Sequence, residues 1–284
     1  MTAAPALQEH YPTQLQDNHR IAFLQEAHIS SFSEKQRYIT GFHARTLIKS
    51  LAATPIFLSS WFKYQRLNSK PEFRLKIKDA FPILTDRSAS AGLAGGHYFH
   101  QDLWAARKIF RIRPEQHVDI GSRVDGFVAH LLAFMPVTIV DIRPLVSRVQ
   151  GLTILQDDAT SLSMLKENSV ASLSSLHAAE HFGLGRYSDP IDPEACFKFM
   201  DSLQRVLAIN GKLYFSVPVG RERVEFNAHR VFSPRTILAG FAQLQLESFS
   251  YVADDGSLHE NTSPLALPTS EMACGLFEFT KIAN

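Results

Sequence analysis

Between His177 and Tyr187 the chain reads His-Ala-Ala-Glu-His-Phe-Gly-Leu-Gly-Arg-Tyr, which sets two imidazoles and a carboxylate beside a glycine turn. Histidine titrates near neutrality, so His177 or His181 can take a proton from a hydroxyl while Glu180 orients the ring. A structural histidine beside a turn is the plainer alternative for either one. A second polar run, Gly220-Arg-Glu-Arg-Val-Glu-Phe-Asn-Ala-His-Arg230, puts His229 and Asn227 where they can face a substrate. Its Arg221, Arg223 and Arg230 can fork onto a carboxylate or phosphate, or can simply pair with Glu222 and Glu225.

Upstream, His117-Val-Asp-Ile-Gly-Ser-Arg-Val-Asp-Gly126 reads as an apolar strand running into a glycine turn and then a helix. Such a turn lets backbone approach a ligand closely and aims free N–H groups at it. Asp141 lies twenty positions after Gly121 and ends a β-branched run. It is placed to accept from two ribose hydroxyls, or else to cap a following helix. After the next apolar run, Asp157-Asp158-Ala159 offers a carboxylate to an adenine amino group, or is an exposed acid pair in a loop.

These residues must be positioned by strands and helices in alternation. Val118 to Gly121, Val137 to Asp141, Leu152 to Leu155, Val170 to Leu176 and Lys212 to Val217 are predicted strands. Predicted helices run from Gly126 to Phe134, briefly after Pro144, and from Pro193 to Ala208, the last capped by Asp192 and stopped at Asn210-Gly211. A final helix runs from Pro234 to about Phe241. Leu244 to Val252 and Gly275 to Ile282 then read as strands with no helix between, so they must pair antiparallel. The first hundred residues read instead as helices, with Ile21, Leu24, Gln25 to His28, Tyr38, Phe42, Leu47 and Leu51 at helical spacing and Pro55, Pro71 and Pro82 as punctuation. Small residues from Ser88 to Gly96 suggest a linker or lid, giving a helical segment over 1–96 and a second domain over 97–284.

Hydrophobic residues make up 45% of the 284 and charged residues 20%, an ordinary globular composition that argues against long disorder. A formal net charge of +1 supplies no field to draw the protein to nucleic acid or an anionic membrane. Lys63, Arg66, Lys70, Arg74, Lys76 and Lys78 form one local basic run, read as a solvated helix face and adjoining loop or as an anion patch. The two cysteines, Cys196 and Cys274, lack both disulfide-framework and metal-ligand spacing, so no metal is expected. No signal-peptide pattern or membrane-length apolar run is visible, and a cytoplasmic location is expected.

Read together, Asp119-Ile-Gly-Ser, Asp141, Asp158-Ala159, Ser175-Leu-His-Ala-Ala-Glu-His181 and Leu203 through Asn210-Gly-Lys-Leu-Tyr-Phe-Ser-Val-Pro218 resemble the successive motifs of class I S-adenosylmethionine-dependent methyltransferases. The resemblance covers about residues 115 to 282. Asp119 to Phe127, Glu180 to Tyr187 and Phe226 to Arg230 are similar, more narrowly, to a methyltransferase-like family of unestablished substrate. It implies an α/β fold: a Rossmann-like, mostly parallel seven-stranded sheet with a reversed C-terminal strand pair, preceded by the helical N-terminal segment. It further implies that Gly121 and Ser122 lie along the methionine part of S-adenosylmethionine, Asp141 holds the ribose, Asp158 and the Ala159 backbone meet adenine, and Ser175 flanks the methyl group. Asp119, Arg123 and Gly126 complete the implied cofactor set. Arg123 and Asp125 replace the family's usual second and third glycines, and Ala171 replaces a common acid. Arg123 either pairs with the cofactor's carboxylate or fills the pocket.

The expected activity is methyl transfer to a small hydroxylated metabolite or sugar. His181 is the first candidate base, His229 the second, and Glu180 the orienter, with Tyr98, His100 and Asp102 closing over the acceptor. A methyltransferase-shaped protein that binds a nucleotide or partner without catalysis is the alternative. A nicotinamide-dependent dehydrogenase fits Gly121, Gly126 and Asp141 loosely.

Overall fold

The structure is a computed structural model that describes residues 44–89, 92, 94–187, 189–267 and 269–283. The predicted helical positions from Ile21 to Phe42 lie outside the described residues. The chain divides into two compact units, Leu24–Ala94 and a unit that holds Gly95–Asn284. In the first, helix α1 (Ala44–Leu67) runs through Pro55 instead of breaking there, and three short 3-10 turns follow it. The basic run lies exposed along the end of α1 and these turns. Among the described residues no helix is long and apolar enough to cross a membrane.

The second unit opens with helix α2 (Gly96–Ile112), an element the strand–helix rhythm does not announce. Trp104, Ala105 and Ile109 form its buried stripe, and Arg113 ends it in the left-handed conformation, a position where glycine is the usual signal. There follow β1 (His117–Ile120), a π-helical turn (Val124–Val128) continuing as α3 (Ala129–Leu132), β2 (Val137–Asp141), β3 (Leu152–Gln156), β4 (Val170–Leu176), α4 (Ala195–Val206) and β5 (Leu207–Val219). The short β6 (Arg223–Glu225) and β7 (His229–Val231), α5 (Pro234–Gly240), β8 (Gln245–Val252), β9 (Leu258–His259) and β10 (Ala273–Thr280) complete the unit.

The main sheet has eight strands in the order β3-β2-β1-β4-β5-β10-β8-β9. Strands β1 to β5 are mutually parallel, while β10 is antiparallel to both neighbours, β5 and β8. The C-terminal strands thus pair antiparallel as expected, with β10 inserted between β5 and β8 and the two-residue β9 added outside them. Side chains alternate between two cores: Phe215, Phe277 and Phe279 join Phe199, Leu203 and Phe241 on one face, while Tyr214 and Leu276 join Trp104, Ile109 and Phe127 on the other. Burial on both faces explains why β5 and β10 read as nearly unbroken apolar runs.

Three predicted elements differ in detail. The helix after β1 begins at Val124 as a π-helical turn and ends at Leu132. No helix follows Pro144: Leu145, Val146 and Val149 are exposed, so a helix there has no apolar face to bury, and Asp141 is occupied by Arg143 instead of capping. Helix α4 stops at Val206 because Leu207 already pairs with Val170 in the sheet, and Asn210 takes the positive φ (61°) that the sequence assigned to Gly211. Asp192 does accept from the Glu194 N–H at 3.0 Å at the start of α4.

Candidate functional site

A cavity of about 430 Å³ opens where β1 to β4 end. This is the edge at which open α/β sheets bind ligands, and the volume falls within the range of small-molecule pockets. Of the residues nominated from sequence, Gly121, Ser122, Arg123, Asp141, Asp158, Ala159 and His181 line it. Asp119, Gly126, Ser175, Glu180 and His229 do not border it. Tyr98, Arg143, Thr160, His177 and Tyr187 line it as well.

Asp119 acts beneath the wall. Its carboxylate is buried and accepts from the Ser122 N–H at 3.1 Å, the Ser122 hydroxyl at 2.6 Å and the Ser174 hydroxyl. The Ser122 oxygen accepts in turn from the Leu176 N–H at 2.9 Å, which ties the loop after β1 to the end of β4. Because Ser174 donates to Asp119, it accepts from His117 Nε2 at 2.8 Å, and His117 Nδ1 accepts from Ser172 at 2.7 Å. Burial lowers His117 to a pKa of about 3 and raises Asp119 to about 6, with the serine hydrogen bonds holding Asp119 back from a larger rise. Gly121 has φ +72°, and a Cβ there would stand 3.0 Å from Ala178 Cβ. Gly121→Ala is therefore expected to lower stability by about 1–2 kcal/mol, measurable by denaturant unfolding.

Gly126 lies against α2: a Cβ at this position would stand 2.6 Å from Asp102 Oδ2, so any larger residue would have to displace that carboxylate. Ser175 is fully buried and its hydroxyl has no hydrogen-bond partner. Asp141 accepts from the Arg143 N–H and Nε on one oxygen, at 2.8 and 2.9 Å, and from Nη2 on the other at 2.6 Å. Burial works against its charge, yet Arg143 holds its carboxyl below the usual range. Arg143 also lies over the Tyr187 ring. Arg123 reaches the exposed Asp125 and lies 5.0 Å from the Tyr98 ring centre, so it forms part of the wall without filling the cavity. Asp158 accepts from the Thr160 N–H and hydroxyl, both at 2.8 Å, while Asp157 folds inward to Ser163 and Met164.

After β4, His177 takes φ +51° and donates from Nδ1 to Glu180 Oε1 at 2.8 Å. Its Nε2 faces Cys274 Sγ at 3.2 Å. Burial works against a charge on His177, but Cys274 and Glu180 more than offset it and hold the imidazole well above its ordinary value. Burial likewise opposes ionisation of Glu180, and His177 outweighs it. Glu180 is thus bound first to His177, and His181 Nε2 is 3.7 Å from the same oxygen. His181 Nδ1 donates to the Ala228 carbonyl at 2.7 Å, which leaves Nε2 as the nitrogen able to accept a proton.

The second polar run lies off the cavity wall. His229 faces Glu225 at 3.5 Å, without hydrogen-bond geometry, and burial lowers its pKa. Arg223 pairs with Glu225 and donates to backbone carbonyls, and the buried Arg230 donates to the Phe182 and Pro193 carbonyls. Asn227 turns the hairpin with φ +63°. Neither Arg221, Arg223 nor Arg230 lines the cavity.

A family model described as a Caenorhabditis protein of unknown function, DUF268, matches residues 153–263, less than half of the chain. No curated protein matches the chain in sequence. Among solved structures, a Burkholderia thailandensis 1,6-didemethyltoxoflavin-N1-methyltransferase crystallised with 1,6-didemethyltoxoflavin and S-adenosylhomocysteine is similar over 64% of this chain and 79% of its own, at 13% identity and TM-score 0.48. The N-methyltransferase NodS of Bradyrhizobium japonicum WM9, in complex with S-adenosylhomocysteine, is similar over 65% of this chain and 87% of its own, at 13% identity and TM-score 0.45. The (4+2)-cyclase SpnF is similar over 64% and 82%, at 11% identity and TM-score 0.46.

Proposed function

We propose that the chain is an S-adenosylmethionine-dependent methyltransferase whose acceptor is a small hydroxylated metabolite or sugar. One observation carries the reading: Gly121, Ser122, Asp141, Asp158 and Ala159, nominated by three separate motifs, converge on one cavity at the carboxyl end of the sheet. The strand order, with antiparallel β10 between β5 and β8, supports it further.

The donor set fits the cofactor. Gly121 and Ser122 would lie along its methionine part, Asp158 and the Ala159 backbone would meet adenine, and Asp141 would hold the ribose. An ionised carboxylate has about four acceptor sites, and Arg143 takes three of those on Asp141. For Asp141 to accept two hydroxyls, the Arg143 guanidinium must swing away, which its 54% exposed side chain permits. Arg123 supplies a cation on the wall for a carboxylate, since its exposed partner Asp125 holds it only loosely. Asp119 positions Ser122 from below.

When bound, S-adenosylmethionine supplies an electrophilic methyl group on a sulfonium. His181 Nε2 would take the proton that the acceptor's hydroxyl loses on methylation. Glu180 lies close enough to stabilise the resulting imidazolium.

Calorimetric titration of the full chain with S-adenosylmethionine tests the reading. Saturable heat and a rise in melting temperature are expected, the rise equivalent to about 2.7 kcal/mol at a hundredfold excess over Kd. Asp141→Asn should weaken binding by about tenfold or more, because each hydroxyl then loses a charged acceptor. Absence of heat and of thermal shift at millimolar ligand would overturn the proposal.

A further inference from the structure

We propose that His97, His177 and Cys274 form a binding site for a borderline-soft divalent ion of the zinc class. The three donors come from α2, the turn after β4 and β10, and one ligand atom from each lies within 4.8 Å of the others. Two imidazoles and a thiol suit zinc-like ions and not magnesium or calcium, which select oxygen. Separations of 80 and 97 residues hide such a site from any reading based on local cysteine and histidine spacing.

The surroundings are those of a ligand set. Glu180 fixes the His177 ring through Nδ1 at 2.8 Å, which leaves Nε2 directed at the site. A carboxylate behind a ligating histidine is the usual outer partner in zinc centres. The separation of His177 Nε2 from Cys274 Sγ, 3.2 Å, is already close to the ~3.5 Å edge of a tetrahedron with zinc–nitrogen and zinc–sulfur bonds. His97 Nε2 is buried and has no hydrogen-bond partner, and its ring stacks on that of His177. A buried, unpaired imidazole nitrogen is costly unless something ligates it, and a metal ion at this point would satisfy it.

Three protein donors is also the number found where zinc keeps one position for water or substrate. His177 is both a donor here and part of the cavity wall, so the ion would border the cavity in which Tyr98 and His181 stand. The site depends on none of the residues assigned to S-adenosylmethionine, so metal binding and cofactor binding succeed or fail separately.

The test uses the full chain stripped by a chelator and titrated with Zn²⁺ by calorimetry and with Co²⁺ by absorption. About one equivalent of Zn²⁺ per chain is expected, and Co²⁺ should give a sulfur-to-metal charge-transfer band in the near ultraviolet. The band should vanish in Cys274→Ser and persist in Cys196→Ser. Glu180→Gln should weaken Zn²⁺ binding by roughly 10–100-fold. Failure to bind Zn²⁺, or a band that survives Cys274→Ser, overturns the proposal. Should Cys274→Ser not fold, His97→Gln decides: Zn²⁺ affinity reduced at least ~10-fold supports the site, and unchanged affinity refutes it.

Discussion

His181→Ala is expected to slow single-turnover methyl transfer to a hydroxyl acceptor by about 10²–10⁴-fold while leaving S-adenosylmethionine affinity nearly unchanged. The expectation rests on position and tautomer. His181 is on the cavity wall, and two donors converge on the Ala228 carbonyl, His181 Nδ1 at 2.7 Å and Arg186 Nη1 at 3.1 Å. A carbonyl only accepts, so the proton sits on Nδ1 and the lone pair on Nε2. Deleting the ring removes the base and leaves the loop after β1 intact. A rapid-quench assay with saturating cofactor reads the effect, and an acceptor with a more acidic hydroxyl should recover part of the loss because it needs less help to ionise. A rate unchanged by His181→Ala with both acceptors would exclude the residue as a base. His229→Ala should leave the rate near that of the parent, since His229 does not border the cavity and instead faces Glu225.

The difference between these two histidines shows what spacing conveys and what it leaves out. Both follow predicted strands at the same edge of the sheet, so pattern alone ranks them nearly equally. The outcome depends on β6 and β7, three-residue strands too short to leave a periodic signal, which turn the 223–231 segment into a hairpin of its own. Strand positions, by contrast, are legible because β1, β2, β4 and β5 are largely buried and so carry β-branched or apolar runs of strand length, while the edge strand β3 keeps the same apolar pattern half-buried. The residues that terminate those strands followed directly: Gly121, Asp141, Asp158 and Ala159 all reach the cavity.

Contacts between distant segments were not legible. Glu180 reads in sequence as the neighbour of His181, yet one turn of 3-10 helix directs its carboxylate to His177 instead. Cys274 falls just before the predicted last strand and carries no ligand spacing in the sequence. It meets His177 only because β10 inserts beside β5, a long-range pairing that no local pattern encodes. Arg143 carries no signal of its own in the sequence, and its hold on both oxygens of Asp141 is seen only in the structure. Helix α2, which supplies Tyr98 and His97, lacks a strong start signal: its N-cap is Gly95, with no side-chain cap hydrogen bond.

The chain of hydrogen bonds beneath the cavity makes a prediction of opposite signs for two residues in the same strand. Asp119 is raised from 3.8 to about 6, so between those values the folded protein holds a proton that the unfolded chain has released. Its contribution therefore strengthens as pH falls from 6 to 4, by about 1.4 kcal/mol per pH unit. His117 is lowered from 6.5 to about 3, so over the same interval the unfolded chain holds the extra proton and stability is lost at a similar rate. The two slopes cancel in the parent protein. Asp119→Asn removes the gain, and its stability relative to the parent should fall by roughly 2 kcal/mol between pH 6 and pH 4. His117→Gln removes the loss, and its relative stability should rise over that interval by a similar amount. Each substitution also costs a pH-independent hydrogen bond, so the sign of the slope, taken from urea unfolding at several pH values, is the diagnostic. Slopes of the same sign for both variants would mean that Asp119 and His117 are not both held uncharged in the folded protein over this interval, and the Ser174 bridge between them would lose its proposed direction.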